Sequence, residues 1–428
     1  MPEITVGRDD SDLEEYGEEF ATAFIGKHIV GEQQEAHTAN PLHLDIARPH
    51  VMGIFGKRGT GKSYTMGVLA EELKQSEEKV KDNLSTLMID SMGIFWSMKN
   101  PNEDDAVILD HWDLNPQQID IDLYVPEGHV DTFREKDIQF DRTFAIKPGD
   151  LNPGDWALAF DLDITEPMGV LLERIINDIR DDKGKTYTIE NLIDYAYSHD
   201  DFEDNVRRAL INRFERALDW GIFSVDAPDV EELTGRGNLT VLDVSMFEDL
   251  SGGWSARTLI VGLLSRKILR KRMESKRVEE IEEMEGIRTT ESPIVWMLID
   301  EAHQFAPEEG ETAATNPLLQ WAKIGREPGV SMVLATQQPN KLDSRILSQM
   351  DILLTHRLTA QNDIDALGNI MQTYMQYDIT EYIDNLPRQD GAGIILDDNS
   401  ERVYTVQIRP RLSWHAGGTP SAVKQERT

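Results

Sequence analysis

Eight consecutive residues, Gly56-Lys57-Arg58-Gly59-Thr60-Gly61-Lys62-Ser63, concentrate the chemistry of this chain. They satisfy G-x-x-x-x-G-K-[ST], a pattern built to hold polyphosphate. Gly56, Gly59 and Gly61 let the backbone turn its N–H groups toward phosphate oxygens. The start of a following helix adds partial positive charge. Lys62 places a point charge on the β- and γ-phosphates, and the Ser63 hydroxyl is a ligand for Mg²⁺. Lys57, Arg58, Thr60 and the next residue, Tyr64, complete the run expected to touch a nucleotide.

Three further pieces carry complementary groups. Asp300 and Glu301 close an unbroken apolar run, IVWMLIDE. There Asp300 would hold the metal through water, and Glu301 would act as general base on the attacking water. Thr336 and Gln337 follow a second apolar run, in VLATQQP, as sensor and water-positioner near the γ-phosphate. Arg326, in WAKIGREPG, is a finger that a chain could present to a neighbour's nucleotide.

These groups need elements that bring them to one place. HVMGIF (50–55) reads as a buried parallel strand. Positions 63–74 read as a helix, with Met66, Leu69 and Leu73 at three-to-four spacing. NLSTLMID, NLTVLDVS, PIVWMLIDEAH, GVSMVLAT and MDILLTHRL read as further strands. AVIL (106–109), IDLYV and TFAI are short strand-like pieces among turns. AGIILDD and RVYTVQI form a hairpin around Asn399. GVLLERIINDIR, TIENLIDYAYS and DNVRRALINRFERALDW carry helical periodicity.

The expected fold is therefore α/β, a P-loop core with a mainly parallel sheet covered by helices, an inserted helical subdomain and a C-terminal β-hairpin. Ligands in such sheets bind at the carboxyl ends of the strands, where both motifs fall. The expected divisions are a short N-terminal extension (1–49), the first core part (50–155), the helical insertion (156–236), the second core part (237–410) and a mobile tail (411–428).

The chain of 428 residues has no cysteine, which excludes disulfides and thiolate metal sites and fits a reducing cytoplasm. No run approaches the ~18 apolar residues of a membrane span, and the acidic N-terminus is neither signal nor transit peptide. Acidic residues number 78 against 43 basic ones, a net charge of −35 spread along the whole length. That pattern fits a surface adapted to high salt. At ~1 M salt the Debye length is only ~3 Å, so net charge does not argue against binding DNA. It does require close contacts, since high salt removes the counterion-release gain.

Other P-loop enzymes are weaker fits. DSMG (90–93) and NKLD (340–343) match GTPase motifs but lie far apart, and that reading leaves Asp300 and Glu301 unused. DEAH (300–303) suggests a two-domain helicase, but no Ser-Ala-Thr segment or second motor domain is evident. A small-molecule kinase does not normally carry adjacent Asp-Glu.

Taken together, GKRGTGKSYTMGVLAEEL, LTVLDVSMF, LIDEAHQF and GREPGVSMVLATQQPNKLDSRILSQMDILLTHRL resemble the HerA branch of the HerA/FtsK ATPases, over residues 50–110 and 237–410. The resemblance implies a RecA-like core that hydrolyses ATP with Mg²⁺ in a homo-oligomeric ring, a hexamer, moving double-stranded DNA. It also implies DNA processing or repair beside a nuclease of the NurA type. By motif match Lys62, Ser63, Asp300, Glu301 and Gln337 take the nucleotide roles, and Arg326 becomes a finger acting in trans. A rival of another class is a ring scaffold for a nuclease or defence complex, without motor activity. Two features depart from the family. Only 49 residues precede the first strand, so the family's N-terminal barrel is expected to be missing or reduced. DSMGIFWS lacks the family's proline after Asp90. For DNA contact the sequence offers the basic stretch SRKILRKRMESKR (265–277), which could equally pair with the acids that follow, and more weakly RRALINRFER (207–216). Phe95 and Trp96 could stack on bases or pack in the core.

Overall fold

The computed structural model describes residues 3–17, 19–31, 36–287, 292–371, 382–383 and 385–417. Its strands, in chain order, are β1 (Ile4–Val6), β2 (Thr22–Val30), β3 (His37–Asp45), β4 (Val51–Phe55), β5 (Leu84–Asp90), β6 (Asp122–Pro126), β7 (Arg142–Phe144), β8 (Leu239–Asp243), β9 (Ile294–Ile299), β10 (Val330–Thr336), β11 (Ile352–His356), β12 (Ala392–Asp397) and β13 (Arg402–Ile408). All belong to one sheet, ordered β1-β3-β2-β13-β12-β11-β4-β10-β9-β5-β8-β6-β7. From β11 to β7 every pairing is parallel. The β12–β13 hairpin is antiparallel and joins β11 to β2.

The apolar runs alternate between two cores, as a sheet covered on both faces requires. In β4, Val51 and Phe55 face one core while Met52 and Ile54 face the other. In β9, Val295, Met297 and Ile299 point one way, Trp296 and Leu298 the other. The helix Lys62–Gln75 covers one face through Met66, Leu69 and Leu73. The opposite face receives the helix Gly253–Met284 and the helical insertion.

Within the insertion, the helix Pro167–Lys183 buries Leu171, Leu172, Ile175, Ile176 and Ile179, a stripe at helical spacing. Capping boxes at Asn152 and Thr188 start the helices Pro153–Phe160 and Ile189–Ser198. Trp156 lies against Phe160, Phe214 and Phe223 and ties the insertion together.

Three readings change. The acidic first 49 residues supply β1, β2 and β3 to the sheet, because β2, containing the apolar piece AFIGKHIV, pairs with β13. AVIL is helical, in Ala106–Asp110, where Val107 and Ile108 are exposed. The three acids before it suit a helix N-terminus.

The expected mobile tail is the third correction, for the residues just after Pro410. Arg411, Leu412 and Ser413 are buried, strapped to Glu71 on the helix that follows the phosphate loop. The Glu71 carboxylate accepts from Arg409 Nη1 at 3.0 Å, Arg411 Nε at 3.3 Å and the Ser413 hydroxyl at 2.6 Å. It also accepts the backbone N–H groups of Leu412 and Ser413. Gly67 makes the room, since a Cβ there would lie 2.7 Å from the Arg411 guanidinium. Positions 418–428 of that tail, and 288–291 beyond the helix Gly253–Met284, lie outside the described residues.

Glu71 is thus the carboxylate that offsets a buried Arg411. Glu71→Ala should lower the unfolding free energy by about 3–5 kcal/mol, the usual result of stranding a buried charge. Denaturant titration measures it, and a wild-type midpoint would mean the strap does not depend on this carboxylate.

Candidate functional site

β4, β10 and β9 are adjacent, parallel and in register, with Phe55 opposite Thr336 and Leu334 opposite Ile299. Their carboxyl ends therefore open on one edge, and the loops that leave them meet there. The phosphate loop follows β4, Thr336 and Gln337 end β10, and Asp300 and Glu301 follow β9. The Ser63 hydroxyl donates to Asp300 Oδ2 at 2.8 Å, across 237 positions of sequence.

Local geometry holds the loop open. Gly61, at φ 111°, starts the helix Lys62–Gln75 from a conformation that side chains rarely adopt. At Gly56 a Cβ would lie 2.5 Å from Thr60 Oγ1 and 2.8 Å from His356 Cβ. The Lys57 N–H donates to the Arg357 carbonyl, fastening the loop to the end of β11. Lys57, Arg58 and Gly59 stay exposed. Lys62 is buried and its Nζ donates to the Lys57 carbonyl at 3.2 Å, so the ammonium spans the loop. Burial lowers the Lys62 pKa, and the carboxylates of Glu301 and Asp300 counter that.

Asp300 is fully buried, and burial raises its pKa against the opposing hydrogen bond from Ser63. Its Oδ1 accepts the N–H of Glu301 at 2.9 Å. Glu301 sits at φ 50° in the left-handed region, a conformation costing on the order of 1–2 kcal/mol for a non-glycine residue. Its Oε2 is buried without a hydrogen-bond partner. Burial first, then Asp300, pushes the carboxyl up to about 7.

His303 is the residue that sequence reasoning passed over. Its Nδ1 lies 2.9 Å from Thr336 Oγ1 and 3.5 Å from Glu301 Oε2, bridging the ends of β9 and β10. Burial first, then Lys62, lowers its pKa below the ordinary imidazole value. Its only signal was its place in D-E-x-H. His356, also missed, holds Thr65 Oγ1 at 2.9 Å beneath the loop.

Gln337 is half-buried at the end of β10. Tyr64 serves the strap: its hydroxyl accepts the Arg411 N–H at 2.6 Å, and its ring meets His415 edge-on. Beside the loop lies a cavity of about 840 Å³, bordered by Gly59, Gly61, Tyr64, Gln389, Gln407 and His415.

Arg326 is elsewhere. It precedes β10 at the opposite rim of the sheet, half-exposed and paired with Asp351. Spanning the seven residues of β10 at about 3.3 Å each leaves roughly 20 Å between it and its own chain's phosphate loop.

The GTPase-like pieces have structural jobs. Asp90 accepts four backbone N–H groups, from Met92 to Phe95, and closes its own turn. Burial, then the adjacent Asp243, pushes Asp90 up to about 8. Asp343 pairs with Arg345 at 2.7 Å and caps the turn it begins. The basic stretch 265–277 is largely committed as well. Arg266 pairs with Asp155, Lys267 with Asp150, Arg272 with Glu279 and Lys276 with Glu280. Phe95 is core, and Trp96 packs against it.

The Glu301 carboxyl holds its proton in the fold to higher pH than its ordinary value of 4.5. Stability contributed by that proton is present below the unfolded value and lost as pH rises through the folded one. Glu301→Gln, always neutral, should therefore match the wild type in thermal midpoint near pH 4 and exceed it near pH 8, in the ligand-free protein. An offset that stays constant with pH would show the carboxyl to be as well solvated as in the unfolded chain.

Comparison with known proteins follows the same lines. The family model described as "Helicase HerA, central domain" matches residues 23–268. The DNA double-strand break repair helicase HerA of Sulfurisphaera tokodaii is 24% identical over 427 aligned positions, covering 95% of this chain and 74% of that protein. The HerA of Sulfolobus acidocaldarius is 24% identical over 361 positions, covering 81% of this chain and 62% of the relative. Among solved structures, VirB4 of Thermoanaerobacter pseudethanolicus superposes with a TM-score of 0.55 at 13% identity, covering 90% of this chain and 97% of that one. The bacterial conjugative coupling protein TrwB gives 0.51 at 13% identity, covering 94% and 96%. Those two likenesses are of fold.

Proposed function

The chain belongs to the HerA family of P-loop ATPases, and from that premise we propose that it is a Mg²⁺-dependent ATPase. In this reading it works as a homo-oligomeric ring, a hexamer, that moves double-stranded DNA in DNA processing or repair. One observation carries the reading: Ser63 and Asp300 meet at 2.8 Å, with the buried Oε2 of Glu301, which has no hydrogen-bond partner, next in the chain.

The donor set suits the metal. Among the described residues, no group of three or more His, Cys, Asp or Glu could hold an ion alone. One hydroxyl and one carboxylate suit Mg²⁺, which keeps several waters and takes other ligands from phosphate oxygens. Ser63 and Asp300 would hold it, and when bound it would neutralise charge on the β- and γ-phosphates.

The chain's own residues supply the rest. The N–H groups of 57–63 cradle the phosphates, and Lys62 turns from the Lys57 carbonyl toward them. The 840 Å³ cavity beside Tyr64 takes the base and ribose. Glu301 accepts the proton of the water that attacks the γ-phosphorus, and a pKa near 7 suits a base working near neutrality. Gln337 orients that water, while His303 fixes Thr336 relative to Glu301. Arg326, far from its own loop, completes the site of the next copy.

The relatives' description as DNA double-strand break repair helicases supports DNA as the polymer moved. A nuclease of the NurA type is the proposed partner. Because most of the basic stretch 265–277 is paired internally, it is not put forward as the DNA surface. No helix of the described residues is long and apolar enough to cross a membrane.

ATP hydrolysis measured at high salt, with and without double-stranded DNA, tests the motor. A motor should be stimulated several-fold. Unstimulated hydrolysis with an intact ring would favour the scaffold. Glu301→Gln should bind ATP normally and hydrolyse it roughly 10²–10⁴-fold more slowly. Undiminished turnover would remove Glu301 from the role of base.

A further inference from the structure

Five ionisable groups cross the rim opposite the phosphate loop. Arg8, just after β1, donates to Asp45 Oδ1 from Nε at 2.9 Å and Nη2 at 2.6 Å. The other oxygen of Asp45, at the end of β3, lies 3.2 Å from His50 Nε2. His50 Nδ1 lies 2.6 Å from Asp351 Oδ2, and the Val51 N–H donates to Asp351 Oδ1 at 2.8 Å. Asp351 Oδ2 also pairs with Arg326 Nη2.

Side-chain exposure along this run is 0% at Arg8 and Asp45, 2% at His50 and 4% at Asp351, then 50% at Arg326. Signs alternate, so each buried charge meets its opposite. Burial alone would lower His50, but Asp351 and Asp45 outweigh it and push the imidazole up to about 9. Gly7, at φ 90°, closes over the ring, where a Cβ would lie 2.9 Å from His50 Cε1.

Desolvating four charged groups is costly, and the attraction between them offsets that cost only in well-fixed geometry. The run therefore fixes one thing at its outer end, the guanidinium of Arg326. Asp351 engages one nitrogen and leaves the others of the five-donor fork free. With roughly 20 Å of β10 between Arg326 and its own phosphate loop, a nucleotide it meets belongs to another copy.

We propose that Asp351, backed by His50 and Asp45, is a positioning residue that presents Arg326 to the nucleotide of the neighbouring copy, and that Arg8 anchors this relay to the N-terminal strands. The inference rests on the ring-ATPase reading above.

The test uses the full chain with Mg²⁺, ATP and double-stranded DNA. Asp351→Asn should lower kcat between roughly tenfold and a hundredfold, as expected for a misplaced catalytic group. KM for ATP and the assembled mass should stay unchanged. Mixing Asp351→Asn with Glu301→Gln chains should restore part of the turnover, because each Glu301→Gln neighbour brings a well-held Arg326 to a working Glu301. His50→Gln is the second variant, read the same way, should Asp351→Asn fail to fold. Full activity of these variants beside an inactive Arg326→Ala would overturn the relay alone. Loss without restoration on mixing, where Arg326→Ala is restored, would also overturn it, by placing the effect within the mutated chain's own fold. Full activity of Arg326→Ala itself, or its failure to be restored, would overturn the trans finger on which the relay stands.

Discussion

The structure depends on the parallel register that brings the ends of β4 and β9 to one edge with β10 between them. Because Ser63 and Asp300 are 237 positions apart, nothing local holds them together. Their 2.8 Å contact is produced by the pairings of β10 with both neighbours. Those pairings are held by apolar side chains packed on both faces. A slip of one residue in β10 would exchange its two faces and move the Thr336 hydroxyl off His303. The site is thus a consequence of register, and register is a consequence of burial.

That dependence explains the rim opposite as well. β10 is one rigid rod with Thr336 and Gln337 at its carboxyl end and the turn carrying Arg326 at its amino end. The distance between a chain's own phosphate loop and its own Arg326 is set by strand length, not by loop conformation. Within one chain, then, no rearrangement of the loops alone carries Arg326 to that chain's own phosphate loop.

Much of this was legible in the sequence, for identifiable reasons. The phosphate loop is local, its spacing and flanking strand and helix being adjacent in the chain. The run IVWMLIDE is fully apolar up to its acids, so strand and site residue were read from one pattern. The helical insertion announced itself by Leu171, Leu172, Ile175, Ile176 and Ile179. What failed was non-local or sparse. β2 and β3 mix polar residues into half-buried strands, and they join the sheet through non-local pairings, β2 with β13 and β3 with β2. The residues just after Pro410 read as the start of a mobile tail, yet Arg411 and Ser413 are fully buried because Glu71, 340 and 342 positions away, receives them. His303 carried no pattern beyond one tetrapeptide, and its position between Glu301 and Thr336 exists only once β9 and β10 are paired.

The two buried ion networks, one at each flank of the phosphate loop's strand and helix, have a shared logic. Glu71 ties the helix Lys62–Gln75 to the C-terminal strap, and Asp351 ties the start of β4 to the start of β11 and to Arg326. Apolar packing alone specifies which face of an element is buried but tolerates small slides along it. A buried carboxylate with several donors does not, because a slide leaves charge uncompensated where water cannot reach it. The chain places such fixed points on the helix that carries the phosphate loop and on the strand that precedes it. Those are the two elements whose displacement by a fraction of an ångström would separate Ser63 from Asp300.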